Sequence, residues 1–213
     1  MKTFLKSLTS LILVFSALAP NAIASAGNDK TLTVNLRGPS VNAFFSNTDP
    51  SGCVTTEVFV SASGGTDQQL PGRGSPIGVG GVNIYKYDSC SDTVLLYAAG
   101  LNESLPAGDF QVSRQLDWAS LHTTIPVTDI LYGNSFDVNV DVNWTGTSDI
   151  FRDHSNTNEI YPGCHILNRW KGSGRNADAS GTVSDGVTNF IPTTSQWADV
   201  DFVVSGFEII GCQ

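Results

Sequence analysis

Alternation of apolar and polar residues is the dominant pattern along this chain, and it is clearest over residues 135–145. Five apolar residues alternate there with four short polar ones: Phe136, Val138, Val140, Val142 and Trp144 against Asp137, Asn139, Asp141 and Asn143. Because a period of two places alternate side chains on opposite faces of a β-strand, this segment is predicted to be a strand with one buried and one solvated face. Trp144 continues the apolar set and is predicted to lie in the core.

Weaker alternating runs follow one another along the rest of the chain, separated by clusters of Gly, Pro, Asn and Asp. They cover residues 31–36, 54–61, 82–87, 93–98, 110–116, 121–130, 166–170, 181–187 and 200–210. No segment keeps the three- and four-residue spacing of a helix. Many short strands joined by turns predict an all-β fold of antiparallel strands, either a sandwich or a closed sheet. We favour a two-sheet sandwich, jelly-roll or immunoglobulin-like, as a single domain over residues 27–213.

Two glycine-rich stretches interrupt this pattern. Residues 63–81 contain seven glycines and are predicted to form a long flexible loop. The alternative interpretation is that this loop contacts a ligand. Residues 171–181 read as a hairpin loop that carries Arg175.

The N-terminus has the three parts of an export signal. Lys2 and Lys6 precede an apolar stretch over residues 8–18, and the small residues Ala24, Ser25 and Ala26 follow it. This arrangement predicts a signal peptide over residues 1–26, with a buried N-terminal helix as the alternative. We therefore expect a secreted, extracellular protein without a transmembrane anchor, or a periplasmic one if the source is a Gram-negative bacterium.

The charge balance narrows the choice of partners. The chain has 11 Lys and Arg against 20 Asp and Glu, a formal net charge of −9. Removal of Lys2 and Lys6 with the signal peptide leaves 9 against 20, or −11. Such an acidic protein is not expected to bind a polyanion, which argues against nucleic acid as a partner.

The four cysteines are predicted to form two disulfides, as is usual in exported proteins. Cys53 precedes the strand-like run 54–61 and Cys90 follows the run 82–87, so antiparallel pairing of these runs would bring the two together. The same argument pairs Cys164 with Cys212. A zinc site is the weaker alternative, because no two cysteines have the close spacing that such sites use.

Residues 149–165 hold the densest group of ionisable side chains. Asp153, His154, Glu159 and His165 are the candidate metal ligands, and calcium is the ion we consider. A plain polar, turn-rich loop is the favoured interpretation, and acid–base catalysis is a third. The spacing of the two histidines matches no zinc motif, and neighbouring strand positions would point Asp153 and His154 to opposite faces. Otherwise we expect no cofactor.

Two tryptophans at predicted strand ends suggest a site for sugars. The candidate ligand-binding residues are Trp170, Arg175, Trp197 and Asp199. An exposed indole can stack on a sugar ring while nearby polar groups bind its hydroxyls, although packing is the more usual role of a tryptophan. Asp199 and Asp201 share one strand face, and we expect them to be a solvent-facing pair on an edge strand.

Three classes of function are consistent with these features. We favour a noncatalytic recognition or adhesion module that binds carbohydrate or another cell-surface component. The alternatives are a structural surface or envelope protein without a small ligand, and a polysaccharide hydrolase or lyase. The fold class does not decide among them, because sandwiches support all three.

Overall fold

The computed structural model describes residues 32–67, 75–161 and 164–210, which form antiparallel strands and no helix. The ten strands are β1 (Leu32–Thr48), β2 (Val54–Asp67), β3 (Ser75–Asp88), β4 (Thr93–Asn102), β5 (Phe110–Val112), β6 (Trp118–Asp129), β7 (Ser135–Gly146), β8 (Phe151–Tyr161), β9 (Cys164–Ser184) and β10 (Trp197–Ile210). The predicted all-β antiparallel class is confirmed.

All ten strands belong to one hydrogen-bonded sheet whose pairings close on themselves. The order is β10-β1-β2-β3-β4-β6-β7-β9, and β9 pairs with β10 to complete a ring of eight strands. The short β5 pairs with β6, and β8 pairs with β9 outside the ring. Closure is possible because β9 is 21 residues long: residues 177–184 pair with β7, whereas residues 165–177 pair with β10.

The core lies inside this ring and follows from the alternation of the strands. On β1, Val41, Ala43 and Phe45 are fully buried, whereas Asn42 and Phe44 between them face outward and are half-buried. Trp144 is 1% exposed, which confirms its predicted place in the core. The polar set that begins with Asp137 is exposed on the outside of β7, also as predicted.

The disulfide between Cys53 and Cys90 is present, as predicted. Val54 pairs with Asp88, so the antiparallel register holds the two Cα atoms 5.3 Å apart just beyond the strand ends. Cys212, the predicted partner of Cys164, lies outside the described residues, as does the predicted signal peptide over residues 1–26. No helix among the described residues is long and apolar enough to cross a membrane.

Three segments predicted as loops are strands. Residues 63–67 and 75–81 pair with each other in β2 and β3, residues 171–181 belong to β9, and residues 151–161 form β8. The glycine-rich segments can pair because glycine keeps both backbone hydrogen-bonding groups and a neighbouring strand supplies the partners. A local pattern of residues does not show such partners, and this explains the three errors.

Candidate functional site

One outer surface of the sheet carries aromatic side chains instead of the polar ones expected on a solvated face. We call the outward-facing positions of β10, β1, β2, β3 and β4 the aromatic face. Its six aromatic residues, all half-buried, are Trp197, Phe44, Phe59, Tyr85, Tyr87 and Tyr97. Clustered exposed apolar surface of this kind marks a site of interaction more often than does a scattered apolar residue.

The centre of this face is a row of rings that crosses three adjacent strands. Trp197 pairs with Phe44, and Phe44 pairs with Phe59. The rings of Trp197 and Phe44 are stacked at 6.2 Å with planes 20° apart, and Phe59 lies 6.0 Å from Trp197. These separations are typical of aromatic pairs that stabilise each other, so the row is a fixed platform.

A second group of rings extends the platform over β3 and β4. Tyr85 stacks on Tyr87 at 6.4 Å and meets the edge of Tyr97 at 5.9 Å. The hydroxyl of Tyr87 donates a hydrogen bond to Asp92, which raises the pKa of Tyr87. These rings therefore combine apolar faces with hydroxyls at their tips.

Polar groups lie directly beside the central row. The amide of Asn42 donates a hydrogen bond to Asp199 Oδ1 at 2.9 Å, two residues along each strand from the pair of Trp197 and Phe44. From the core side, the indole of Trp144 donates to the backbone oxygen of Asn42 at 2.9 Å. Asn42 is thus held from both sides of the sheet, and the Asp199 carboxylate is oriented next to the rings.

Asp201 follows Asp199 on the same face and lies over Gly174 of β9. Asp201 pairs with Gly174, and Gly174 pairs in turn with Phe151 of β8. A Cβ at residue 174 would collide with Asp201 Oδ1 and with the Phe151 ring. The missing side chain therefore makes the space in which the carboxylate and the ring lie against the backbone of β9.

Burial changes the protonation of both acids. Desolvation raises the pKa of Asp199 to about 6, although the hydrogen bond from Asn42 opposes this. Desolvation and then the nearby charge of Asp199 raise the pKa of Asp201 to about 8. Both carboxyls of the pair therefore bind a proton more readily than an exposed aspartate does, because burial disfavours their charged forms.

The outside of β6, β7 and the C-terminal half of β9 is entirely different. It carries short polar side chains in register, with His122 Nδ1 2.8 Å from Asp141 and Thr124 donating to Asn139 at 2.9 Å. Its one aromatic ring is Trp118, which is 46% exposed. The two outer surfaces of this protein are thus a polar face and an aromatic face.

The four residues predicted to bind a ligand are not all on one surface. Trp197 and Asp199 lie together on the aromatic face. Arg175 pairs with the buried Val200, and its side chain passes Gly146 toward Asp117, on the other side of the sheet. The backbone of Trp170 pairs with Ser205, six residues or about 20 Å along β9 from the partner of Asp199.

The acid pair does not lie on an edge, contrary to the prediction. β10 pairs with β1 on one side and with β9 on the other, so both acids are half-buried within the sheet.

The predicted metal ligands are spread along β8 and β9. Asp153 and Glu159 are six residues apart on β8, about 20 Å at the usual rise of a strand, and His154 faces the opposite side from both. The backbone of His165 pairs with Ile160. Within the described ranges, the one group of three potential ligands in close reach is Cys53, Asp88 and Cys90, whose cysteines form the disulfide and offer no thiolate.

An open cleft of about 470 Å³ lies on β8 and β9, away from the aromatic face. Its lining residues are Asn156, Thr157, Asn158, Leu167 and Arg169. They include no carboxylate and no aromatic ring, so the aromatic face is the better candidate site.

The sequence prediction missed Phe44, Phe59 and the three tyrosines, although the sequence contains a signal for them. Phe44 adjoins Phe45, and Phe59 lies between Val58 and Val60. Since neighbours on a strand face opposite ways, consecutive apolar residues must place one ring outside the core. Such breaks in alternation mark the aromatic face.

Comparisons of this chain with protein-family models, with curated proteins and with solved structures find no match, so its function has to be argued from its geometry.

Proposed function

We propose that this protein is a secreted, noncatalytic recognition or adhesion module that binds carbohydrate through its aromatic face. The observation that carries the proposal is the row of Trp197, Phe44 and Phe59 beside the hydrogen-bonded pair of Asn42 and Asp199. A sugar ring presents an apolar C–H face that stacks on aromatic rings, and hydroxyls at its rim that bind amides and carboxylates.

The contrast between the two outer faces supports this function. A sheet that only needs a soluble outside can use short polar residues, as β6 and β7 do. The aromatic face keeps six large rings in contact with solvent instead, which is costly unless a partner covers them. An assembly surface of an envelope protein would use such a face too, so the test has to separate these cases.

Tryptophan fluorescence provides that test. The mature, oxidised protein is titrated with a panel of soluble polysaccharides, each with calcium and with a chelator. We expect a saturable shift with one class of polysaccharide. Trp197→Ala should abolish it, whereas Trp118→Ala on the polar face should retain it. Absence of a shift across the panel, together with self-association that Trp197→Ala removes, would instead identify an assembly surface.

The acid pair favours hydrolysis of a polysaccharide as a second candidate function. Asp201, whose pKa is raised further, would be the general acid, and Asp199 the base. Their Cα atoms are about 7 Å apart along the strand, and paired carboxylates at separations of this order serve in glycosidases. Release of reducing ends from the bound polysaccharide, lost in Asp201→Asn, would establish this activity. Its absence despite binding would support the noncatalytic function.

The export and packing predictions belong to the same proposal. We propose that residues 1–26 direct secretion and that Cys164 pairs with Cys212. The register supports this disulfide, because His165 pairs with Ile210, one residue after Cys164 and two before Cys212. Mass spectrometry of peptides from the unreduced protein would detect it.

We also propose that the ring of strands is flattened into the two layers of a sandwich. The hydrogen bond that Trp144 on β7 donates to β1 across the interior supports this arrangement.

A further inference from the structure

The described outward positions of the aromatic face carry acids and no cation, whereas the opposite positions of the same strands carry both signs. Its outward positions carry four acids, Glu57, Asp67, Asp199 and Asp201, and no Lys or Arg among the described residues. The cations on these strands, Arg37 and Lys86, alternate with the outward-facing residues and so occupy positions on the opposite face of the sheet. The same holds for the neighbouring strands, where Arg152, Arg169, Lys171 and Arg175 are at such positions.

These acids flank the row of rings. Glu57 is two residues from Phe59 on β2, and Asp199 is two residues from Trp197 on β10, each about 7 Å along its strand. A carboxylate therefore lies at each side of the platform formed by Trp197, Phe44 and Phe59.

No cation of residues 32–67, 75–161 and 164–210 faces this surface to compensate the acids. The groups that face Asp199 and Asp201 from β1 and β9 are Asn42, Ser40, Asn176 and Gly174, and Phe151 lies beyond them. These partners are neutral. The raised pKa of both acids agrees with this, since burial is their main cause and no positive charge offsets it.

We infer that the aromatic face binds a polysaccharide whose sugars carry free amino groups, in preference to neutral or acidic polysaccharides. This inference rests on the proposed function and specifies its ligand. The sugar ring would stack on the aromatic row. The ammonium group at the rim of that ring would pair with Glu57 or Asp199 and would also be attracted by the faces of the aromatic rings. An acidic sugar would be repelled by the same carboxylates.

Matched oligosaccharides test this inference. Glucosamine oligomers, their fully N-acetylated forms of the same length and neutral glucose oligomers are titrated by calorimetry at pH 6.5. We expect the glucosamine oligomers to bind most tightly, with the preference lost at 1 M salt, where charges are screened beyond about 3 Å.

Variants connect the preference to the two flanking acids. Glu57→Gln should weaken glucosamine binding by about three- to tenfold and leave N-acetylated binding unchanged, whereas Asp199→Asn also alters the polar pair beside the rings and should weaken the binding of both, that of glucosamine more. Asp137→Asn on the polar face is the matched control and should change neither. Trp197→Ala should weaken both. Circular dichroism verifies that each variant is folded. If Asp199→Asn is unstable, Glu57→Gln alone tests whether a flanking acid causes the preference for glucosamine oligomers.

The outcomes separate this inference from the proposed function. Equal binding of glucosamine and N-acetylated oligomers, or tighter binding of an acidic polysaccharide, would refute the amine preference while carbohydrate binding stands. Equally tight binding of polylysine would show that the face recognises polycations in general and would overturn the inference. Failure of every oligosaccharide and polysaccharide to bind would refute both.

Discussion

Replacement of Asp201 by Asn should remove a pH dependence from the stability of this protein. Burial raises the pKa of Asp201 from its usual 3.8 to about 8. Between these two values the folded chain binds a proton that the unfolded chain has lost. The free energy of unfolding therefore falls as the pH rises through this range, by at most about 1.4 kcal/mol per pH unit for one carboxyl.

The size of the effect follows from the position of the two acids. Two unit charges about 7 Å apart repel each other by about 2 kcal/mol at an effective dielectric constant of 20. This repulsion adds to the desolvation of Asp201 over Gly174. Because Asp201 is only half-buried, solvent screens part of the cost, and we expect a total loss of about 1–3 kcal/mol between pH 5 and 8.

The assay is urea unfolding of the wild type and of Asp201→Asn at several pH values from 5 to 8.5. The contributions of titrating groups that do not interact with Asp201 cancel in the difference between the two curves, and the change that remains belongs to Asp201 together with Asp199. The free energy of unfolding of the wild type, relative to that of Asp201→Asn, should fall steadily as the pH rises and become constant above about pH 8. The free energy of unfolding of Asp137→Asn should change with pH as that of the wild type does. Parallel curves for the wild type and Asp201→Asn would refute the argument that Asp201 is protonated in the folded protein.

Three further substitutions test the framework around the site. Gly174→Ala should destabilise the protein by about 1–3 kcal/mol in thermal or urea unfolding, because its Cβ meets the Asp201 carboxylate and a ring, whereas Ala at the outward-facing Asn176 should have little effect. Cys53→Ser should lower the free energy of unfolding by about 4 kcal/mol, since the disulfide closes a loop of 37 residues, and an unchanged urea midpoint would contradict this. Trp144→Phe should cost about 1–3 kcal/mol, because the backbone oxygen of Asn42 loses its donor from the core, and an unshifted unfolding midpoint would count against that hydrogen bond.

The local pattern of residues was sufficient to predict several parts of this structure. Alternation identified β7 and placed Trp144 in the core, and the ends of two predicted strands located the disulfide of Cys53. Each of these inferences depends only on which way neighbouring side chains face, or on one antiparallel pair. Both are properties of a few consecutive residues or of one pair of neighbouring strands.

The tertiary structure decided which residues share a surface. Trp197 is distant in the sequence from Phe44 and Phe59, which lie on consecutive strands, and the three form one row only because β1 pairs with both β10 and β2. Asp199 is held within the sheet and not at an edge because β9 is long enough to close the ring. Alternation in the sequence determines which face of a strand a residue occupies, whereas strand order and register, set by the packing of the whole core, determine its neighbours across the sheet.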